Sequence, residues 1–205
     1  MACRRRGSDG RQVVDVVTGV PEAGGDRAAH DVAGGAGIPV SAPQAARDGR
    51  IQVEVDGFSL GLQRVVDGDL LDITDGEQLR AAGTMLARMH AARAHYPEAI
   101  PGDEPARPGT QLVGNDFRAA NILWPEGRIA AVLDLEEATY RRRVDDLAQA
   151  AVLLGTRYHD WSPTPSEVRG AFVAAYESGL PLTKDERGDL GGAIEALLVR
   201  FGWSG

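Results

Sequence analysis

Two apolar runs on either side of a short turn constrain the fold of this chain more than any other feature. The runs are NILW (121–124) and RIAAVLDL (128–135), and the tripeptide Pro-Glu-Gly (125–127) separates them. Proline at the second and glycine at the fourth position of a four-residue stretch are typical of a type I turn. The pattern therefore predicts a β-hairpin.

Polar side chains collect at the open end of this hairpin. If the strands pair directly across the tripeptide, Asp134 lies opposite Arg118, between Asp116 and Asn121. Carboxylate and amide oxygens are the ligands that Mg²⁺ prefers, and a further carboxylate can accept a proton from an attacking hydroxyl. An Asp, an Asn five residues later and an Asp on the following hairpin are the arrangement that kinases use.

The residues of this region resemble a known family. GNDFRAAN (114–121) resembles the H-x-D-x-x-x-x-N loop of the aminoglycoside phosphotransferase, choline kinase and homoserine kinase superfamily. LDLEEA (133–138) resembles its I-D-[WF]-[ED]-x-A segment, and DDLAQA (145–150) resembles the helix start that follows. GIPVSAP (37–43) and LARMH (86–90) also resemble family landmarks, so the resemblance spans roughly residues 37 to 178.

The resemblance implies a role for individual residues. Asp116 is the implied catalytic base or hydroxyl-orienting group, Asn121 and Asp134 are the implied Mg²⁺ ligands, and Asp146 braces the catalytic loop. Two further residues are near enough to touch phosphate or substrate without a fixed role, namely Arg118 and Glu136. The implied cofactors are ATP and Mg²⁺.

The acceptor implied by the resemblance is a small molecule with a hydroxyl group. Only eleven residues separate Asp134 from Asp146, which leaves no space for the activation segment of protein kinases. Homoserine, an amino alcohol, an aminoglycoside and a sugar all stay open. The family's usual His and Gly are replaced by Gly114 and Asn115.

The expected fold is α+β and protein-kinase-like, with a reduced N-terminal β lobe and a mainly helical catalytic lobe that contains the β-hairpin. We expect a poorly structured segment over residues 1–36, a lobe remnant and hinge over 37–70, and the catalytic lobe over 71–205. Val13–Val17 is a candidate strand, and Asp56-Gly57 joins two more strands in a second hairpin.

Helices are expected beyond that second hairpin. The periodicity of apolar residues predicts helices at 76–93, 145–157, 166–178 and 183–201. Thr74 or Asp75 can cap the first helix, and Thr183 with Glu186 forms a capping box at the last.

The front of the chain departs from the family pattern. Twenty-one of its 22 basic residues are arginine, and no lysine precedes Lys184, whereas kinases hold the nucleotide phosphates with a strand lysine. We therefore expect an incomplete phosphate-binding lobe and poor phosphate transfer by this chain. The alternative function is a pseudokinase or truncated remnant that binds a ligand or partner without transfer.

Composition excludes other classes of protein. The net charge of −8 disfavours nucleic acid as a partner, and no run of about 18 apolar residues is present to form a membrane span. The one cysteine, Cys3, forms no internal disulfide, so we expect a cytoplasmic location.

Several polar and aromatic residues have simpler interpretations. We expect His90 to be a satisfied packing residue. The run Arg141–Arg143, next to Asp145 and Asp146, suits either binding of an anionic substrate or a solvated or ion-paired surface, and we expect the second. Two residues after the Asp146 helix suit either an acceptor pocket or ordinary packing, namely His159 and Trp161.

Overall fold

The structure is a computed structural model that describes residues 13–17, 37–41, 43–56, 58–63, 65–94, 96, 109–135, 137–157 and 159–203. Within these residues the chain forms small antiparallel sheets and a mainly helical body. The strands are β1 (Val13–Val17), β2 (Pro43–Gln44), β3 (Gln52–Val55), β4 (Phe58–Gln63), β5 (Asp69–Leu70), β6 (Gln111–Val113), β7 (Ile122–Trp124), β8 (Ala131–Val132) and β9 (Thr139–Arg141). The α-helices are α1 (Gly76–Arg93), α2 (Arg143–Leu153), α3 (Ser166–Gly179) and α4 (Lys184–Arg200).

The first sheet is built around β4. Strand β1 pairs antiparallel with one edge of β4, whereas β3 and β2 pair with successive parts of the other edge. The Asp-Gly hairpin is confirmed, because Val55 pairs with Phe58 and Asp56 takes the left-handed φ of 51°. The predicted strand Val13–Val17 is also confirmed by its five-residue ladder with β4, and the rest of the segment 1–36 lies outside the described residues.

The hairpin of β7 and β8 exists, but its predicted register is wrong. Ile122 pairs with Val132 and Leu123 with Ala131, so Asp134 falls opposite residue 120 rather than residue 118. The physical reason is the turn. Arg128 N–H donates to the Pro125 carbonyl at 3.2 Å, and Glu126 and Gly127 have φ of 46° and 80°. Positive φ at both central residues is the I′ pattern of tight hairpins, and it places the turn at residues 125–128 instead of 124–127. A two-residue turn there sets Pro125 opposite Arg128, and one extra residue on the β8 side completes the shift to the observed pairs.

Strands β6 and β9 form a separate two-stranded sheet next to the loop motif GNDFRAAN (114–121). Strand β6 pairs with β9, with Leu112 opposite Tyr140. The loop motif GNDFRAAN therefore leaves the end of β6 and enters β7, while β9 leads directly into α2. The connector before the second hairpin lies beside β8, since Val132 N–H donates to the Pro39 carbonyl at 2.8 Å.

In the described part of the chain, four helices form the body and bury one core. Helix α1 has its predicted bounds and its N-cap is Asp75, whose side chain accepts from the backbone N–H of Glu77 and Gln78. Helix α4 has the predicted capping box of Thr183 and Glu186. Helix α2 is shifted towards the N-terminus relative to its prediction, so that Asp145 and Asp146 lie in its first turn.

The core lies between α1, α2, α3 and the hairpin, and includes Leu86, Leu112, Ile122, Leu147, Leu154 and Phe172. Within the described part of the chain, every helix is too short or too polar to span a bilayer. The packed apolar side chains of this core therefore support the loop motif.

Candidate active site

The loop between β6 and β7 brings Asp116 and Asn121 together. Residues Ala119–Asn121 form one turn of 3₁₀ helix, in which Asn121 N–H donates to the Arg118 carbonyl at 2.9 Å. This turn returns the chain towards Asp116. The Asn121 side-chain Nδ2 donates to the Asp116 carboxylate Oδ2 at 2.8 Å and to its backbone carbonyl at 3.1 Å. Asn121 is 2% exposed, so the pair is fixed at the base of the loop.

The orientation of the Asn121 amide follows from these partners. Both partner atoms on Asp116 are acceptors, so the amide nitrogen must face them and the amide oxygen must face elsewhere. Leu133 N–H donates to the Asn121 backbone carbonyl at 2.8 Å, which places Asp134 one residue beyond that bond on the neighbouring strand. Asp134 is exposed and has φ of 53°, a left-handed conformation that Asp tolerates better than most residues.

Arg118 contacts the Asp116 carboxylate on both oxygens. Its Nη2 donates to Oδ2 at 2.7 Å, and its Nε lies 2.7 Å from Oδ1. The same guanidinium lies over the Trp161 ring, with 5.6 Å between Cζ and the ring centroid. Trp161 is 51% exposed, so an exposed aromatic face adjoins the Asp116–Arg118 pair.

Asp146 connects the catalytic-loop motif to α1 and α3. Its Oδ1 accepts from the Asn115 backbone N–H at 2.9 Å, which is the bracing bond that the resemblance implies. Its Oδ2 lies 2.8 Å from His90 Nε2, and His90 Nδ1 lies 2.8 Å from the Tyr176 hydroxyl. Burial raises the pKa of Tyr176 above its ordinary value, so the hydroxyl stays protonated within this chain of bonds. His90 is fully buried and satisfied, as predicted.

Arg93 occupies the space behind Gly114. A Cβ atom built on Gly114 would lie 3.3 Å from Arg93 Nη1 and 3.8 Å from Met89 Cε, so a large side chain would have little room there. Arg93 is fully buried, and burial lowers its pKa to about 10 against the opposing effect of Asp146. The guanidinium therefore remains charged at neutral pH. This packing gives a local reason for glycine at the position where the family has His.

The arginine run at the start of α2 divides between different partners. Arg142 forms ion pairs with Asp145 and Asp189, both at 2.7 Å. Arg143 forms a two-bonded pair with Glu186 at 2.6 Å, and this contact lowers the pKa of Glu186 to about 2. The prediction of ion pairs holds for these two residues. Arg141 instead turns towards the catalytic-loop motif.

The structure therefore brings some predicted residues together and leaves others apart. Asp116, Arg118 and Asn121 form one hydrogen-bonded cluster, and Asp146 holds the residue before it. Glu136 lies outside the described residues, and His159 is exposed. Sequence reasoning missed Gln149, which donates to the Asn115 carbonyl. The one feature of the sequence that could have indicated this contact is the position of Gln149, one helical turn after Asp146.

The oxygen ligands for a metal are few but of the right kind. Among the residues that the structure describes, no three His, Cys, Asp or Glu side chains group into a metal site. The Asn121 amide oxygen and the Asp134 carboxylate are what the hairpin offers. Mg²⁺ needs few protein ligands when phosphates and water complete its octahedron. The residues therefore fit a metal that arrives with a nucleotide.

The fold and the loop resemble those of kinase-like phosphotransferases. An aminoglycoside phosphotransferase from Alicyclobacillus acidocaldarius subsp. acidocaldarius DSM 446 superposes with a TM-score of 0.66 at 12% identity, over 100% of this chain and 84% of that one. The amicoumacin kinase hAmiN, solved with AMP-PNP, Ca²⁺ and Ami, superposes with a TM-score of 0.64 at 14% identity, over 92% and 82% of the two chains. The predicted α+β kinase-like fold is confirmed.

Sequence comparison finds a similarity of the same kind. Residues 98–188 match the profile of the phosphotransferase enzyme family, so the predicted resemblance is confirmed. A homoserine kinase from Neisseria meningitidis serogroup B (strain ATCC BAA-335 / MC58) is 24% identical over 205 aligned positions. The alignment covers 80% of this chain, which spans 65% of the length of that relative.

Proposed function

We propose that this chain catalyses ATP- and Mg²⁺-dependent transfer of a phosphoryl group to a hydroxyl group of a small molecule. The observation that carries the proposal is the fixed Asp116–Asn121 pair, with Nδ2 of Asn121 2.8 Å from Oδ2 of Asp116. The family match over residues 98–188 includes both residues and Asp134. A reducing cytoplasm, where ATP is abundant, is the location that suits this activity.

Asp116 is the proposed proton acceptor. A carboxylate has about four acceptor positions, and Asn121 and Arg118 both donate to Oδ2. Oδ1 has the contact with Arg118 Nε and retains a position at which a substrate hydroxyl can donate. The hydroxyl oxygen becomes a better nucleophile as its proton moves towards Oδ1. Arg118 then holds the carboxylate orientation and supplies positive charge beside the transferred phosphoryl group.

Asn121 and Asp134 are the proposed holders of the metal. The chemistry that Mg²⁺ supplies when bound is neutralisation of charge on the phosphate oxygens. The 3₁₀ turn presents the Asn121 amide, and the left-handed Asp134 turns the chain at the end of β8. Asp146 keeps a structural role in this proposal, because its two oxygens are engaged by Asn115 and His90.

The acceptor class is the open part of the proposal. Homoserine is supported by the Neisseria relative, and an aminoglycoside or a molecule like amicoumacin is supported by the proteins of similar fold. The exposed Trp161 face beside Arg118 suits a ring-bearing acceptor, since sugars and apolar rings stack on indole.

A second candidate function is binding without transfer. It is favoured by one observation: no lysine occurs before Lys184, so no lysine can hold phosphates from the N-terminal sheet. Loss of a preorganised positive contact costs about 10²–10³ in rate. Binding of nucleotide without turnover would support this function over phosphate transfer.

The metal assignment is tested by calorimetry with MgADP. We expect Asp134→Ala to abolish MgADP binding without unfolding the protein, because the side chain is exposed and the left-handed φ of 53° costs alanine only about 1–2 kcal/mol. Asp67→Ala, which removes an exposed carboxylate from another loop, serves as the matched control and should bind as the wild type does. Equal affinity of the wild type and Asp134→Ala for MgADP would refute the metal role.

The activity is tested by a coupled assay of ADP release with MgATP and a panel of homoserine, choline, kanamycin and glucose. We expect slow turnover with one class of acceptor and its loss in Asp116→Asn, which keeps the shape of the side chain but not its basicity. ADP release that is the same in Asp116→Asn and the wild type would contradict the role of Asp116. MgADP binding without ADP release from any acceptor would favour the second candidate function.

A further inference from the structure

Asn115 has an unusual conformation at a position that matters. Its φ of 62° is left-handed, and its carbonyl belongs to the peptide bond that leads into Asp116. A non-glycine residue in this region costs free energy unless its surroundings stabilise it. The direction of the Asp116 side chain therefore depends on what holds this one peptide unit.

Three side chains hold Asn115 by three different groups. Asp146 Oδ1 accepts from its backbone N–H at 2.9 Å. Gln149 Nε2 donates to its backbone carbonyl, and Arg141 Nη1 donates to its side-chain Oδ1. The hydrogen-bonding capacity of the residue is thus engaged on both sides of its backbone and at its side chain. We call Arg141, Asp146 and Gln149 the Asn115 clamp.

Arg141 also determines which way the Gln149 amide faces. Arg141 Nη1 donates to Gln149 Oε1 at 3.0 Å as well as to Asn115. An arginine has donors only, so the Gln149 oxygen must face Arg141 and its nitrogen must face the Asn115 carbonyl. Arg141 therefore acts on Asn115 directly through the side chain and indirectly through Gln149.

The clamp comes from two rigid elements. Arg141 ends β9, which pairs with β6 at Gln111, and Gln149 lies on α2 one turn after Asp146. The loop motif before Asp116 is thereby tied to a strand on one side and a helix on the other. Arg142, the next residue, is directed to the surface pair with Asp145 and Asp189, so only one arginine of the run serves the loop.

We propose that Arg141 and Gln149 are positioning residues that orient Asp116 for phosphoryl transfer through the Asn115 peptide unit. This inference rests on the proposed function for its effect on rate, although not for its effect on the loop. A small error in the direction of a catalytic group reduces the rate strongly, because phosphoryl transfer depends on positioning. Nucleotide affinity should change little, since the proposed metal holders are Asn121 and Asp134.

The sharpest variant is Gln149→Glu, because it keeps the size of the side chain and the acceptor for Arg141. It replaces the N–H group that reaches the Asn115 carbonyl with a carboxylate oxygen, which cannot donate to it. Arg141→Met removes both hydrogen bonds of Nη1 and keeps the apolar stem, and Arg141→Lys returns a charged nitrogen that can donate. Arg142→Met is the matched control, as it removes a neighbouring arginine whose partners are on the surface.

Two measurements are made on the full chain. The first is amide hydrogen exchange of the peptide that covers residues 114–118, which needs no acceptor. We expect about tenfold faster exchange in Gln149→Glu and Arg141→Met, partial recovery in Arg141→Lys, and wild-type exchange in Arg142→Met. The second is the kinetics of ADP release with MgATP and L-homoserine, together with the affinity for MgADP.

In the kinetic assay we expect kcat to fall about 10–100-fold in Gln149→Glu and Arg141→Met, with the affinity for MgADP within about twofold of wild type. The double variant should be no slower than the slower single variant, because the two residues act as a unit. Absence of ADP release from the wild type would count against the proposed function and leave the exchange result to decide on the clamp. Unchanged exchange at residues 114–118 in both Gln149→Glu and Arg141→Met overturns the inference.

Discussion

Gly83 lies where α1 and α3 approach each other most closely, and replacing it tests the packing beneath the site. A Cβ atom on Gly83 would lie 2.6 Å from the Phe172 carbonyl oxygen, 2.7 Å from Ala175 Cβ and 2.9 Å from the Tyr176 nitrogen. Two of these atoms are backbone, so α3 must move as a whole. Overpacking of this kind costs typically 1–3 kcal/mol, whereas Gly to Ala within a helix contributes about 1 kcal/mol of stability.

We therefore expect Gly83→Ala to lower the free energy of unfolding by about 2 kcal/mol, from the upper end of the overpacking cost less the helical gain. In a domain of this size that corresponds to a melting temperature about 4–8 °C lower. The change should also disturb the site, because α1 supplies His90 and α3 supplies Tyr176, whose side chains meet at 2.8 Å.

Gly191→Ala is the matched control for this prediction. It makes the same substitution within α4, at a position where an added Cβ meets no atom within 4 Å. We expect it to stabilise the protein by up to about 1 kcal/mol. Urea denaturation followed by circular dichroism measures both variants. If Gly83→Ala proves as stable as Gly191→Ala, the reasoning about the helix contact is refuted.

Two further predictions concern buried and half-buried carboxylates. Asp146→Ala should lower the melting temperature more than Asp116→Ala in thermal denaturation, because it leaves the Asn115 N–H and His90 without their acceptor, at about 1–3 kcal/mol; the opposite order would show that the two roles are exchanged. Glu186→Gln should remove part of the acid sensitivity. Since Arg143 lowers the folded-state pKa of Glu186 from 4.5 to about 2, its contribution is present above about pH 4.5 and is lost as the pH falls towards 2. With allowance for solvent screening this amounts to about 1–2 kcal/mol, and urea titrations at pH 5 and pH 3 should show a smaller difference in the variant than in the wild type; an equal difference would contradict the assignment.

The helices were largely predictable from the sequence because their ends carry local signals. Asp75 and the pair Thr183–Glu186 satisfy backbone N–H groups next to them in the chain, so their effect does not depend on the rest of the fold. Helix α2 was placed too far along the chain because its N-cap, Arg142, has no side-chain cap.

The hairpin register was not predictable to the residue. Its turn is decided by Glu126 and Gly127 adopting positive φ, and a glutamate gives no indication of that conformation. Strand β9 was missed because three residues ending in arginine show no alternation of apolar and polar side chains. It exists because β6 lies beside it.

The contacts of the candidate site were also predictable only where the partners lie close together in the sequence. Asp116 and Asn121 are five positions apart, so the motif contains their contact. The clamp on Asn115 joins residues 26 to 34 positions apart through long polar side chains. Three adjacent arginines look alike in the sequence, and only the path of β9 separates Arg141 from Arg142 and Arg143.

The closeness of these partners in the chain has a consequence for the order of folding. Among the described residues, the polar contacts of Asp116 and of the Asn115 clamp span no more than 34 positions, from Asn115 to Gln149, and none of these contacts reaches the sheet of β1 to β4. Short loops close at a lower entropic cost than long ones, so the loop, β9 and α2 should assemble as one cooperative unit. That unit can nucleate before the N-terminal sheet has paired. In a chimaeric chain that takes its N-terminal sheet from another protein and keeps this chain from α1 onwards, the geometry at Asp116 should therefore be unchanged.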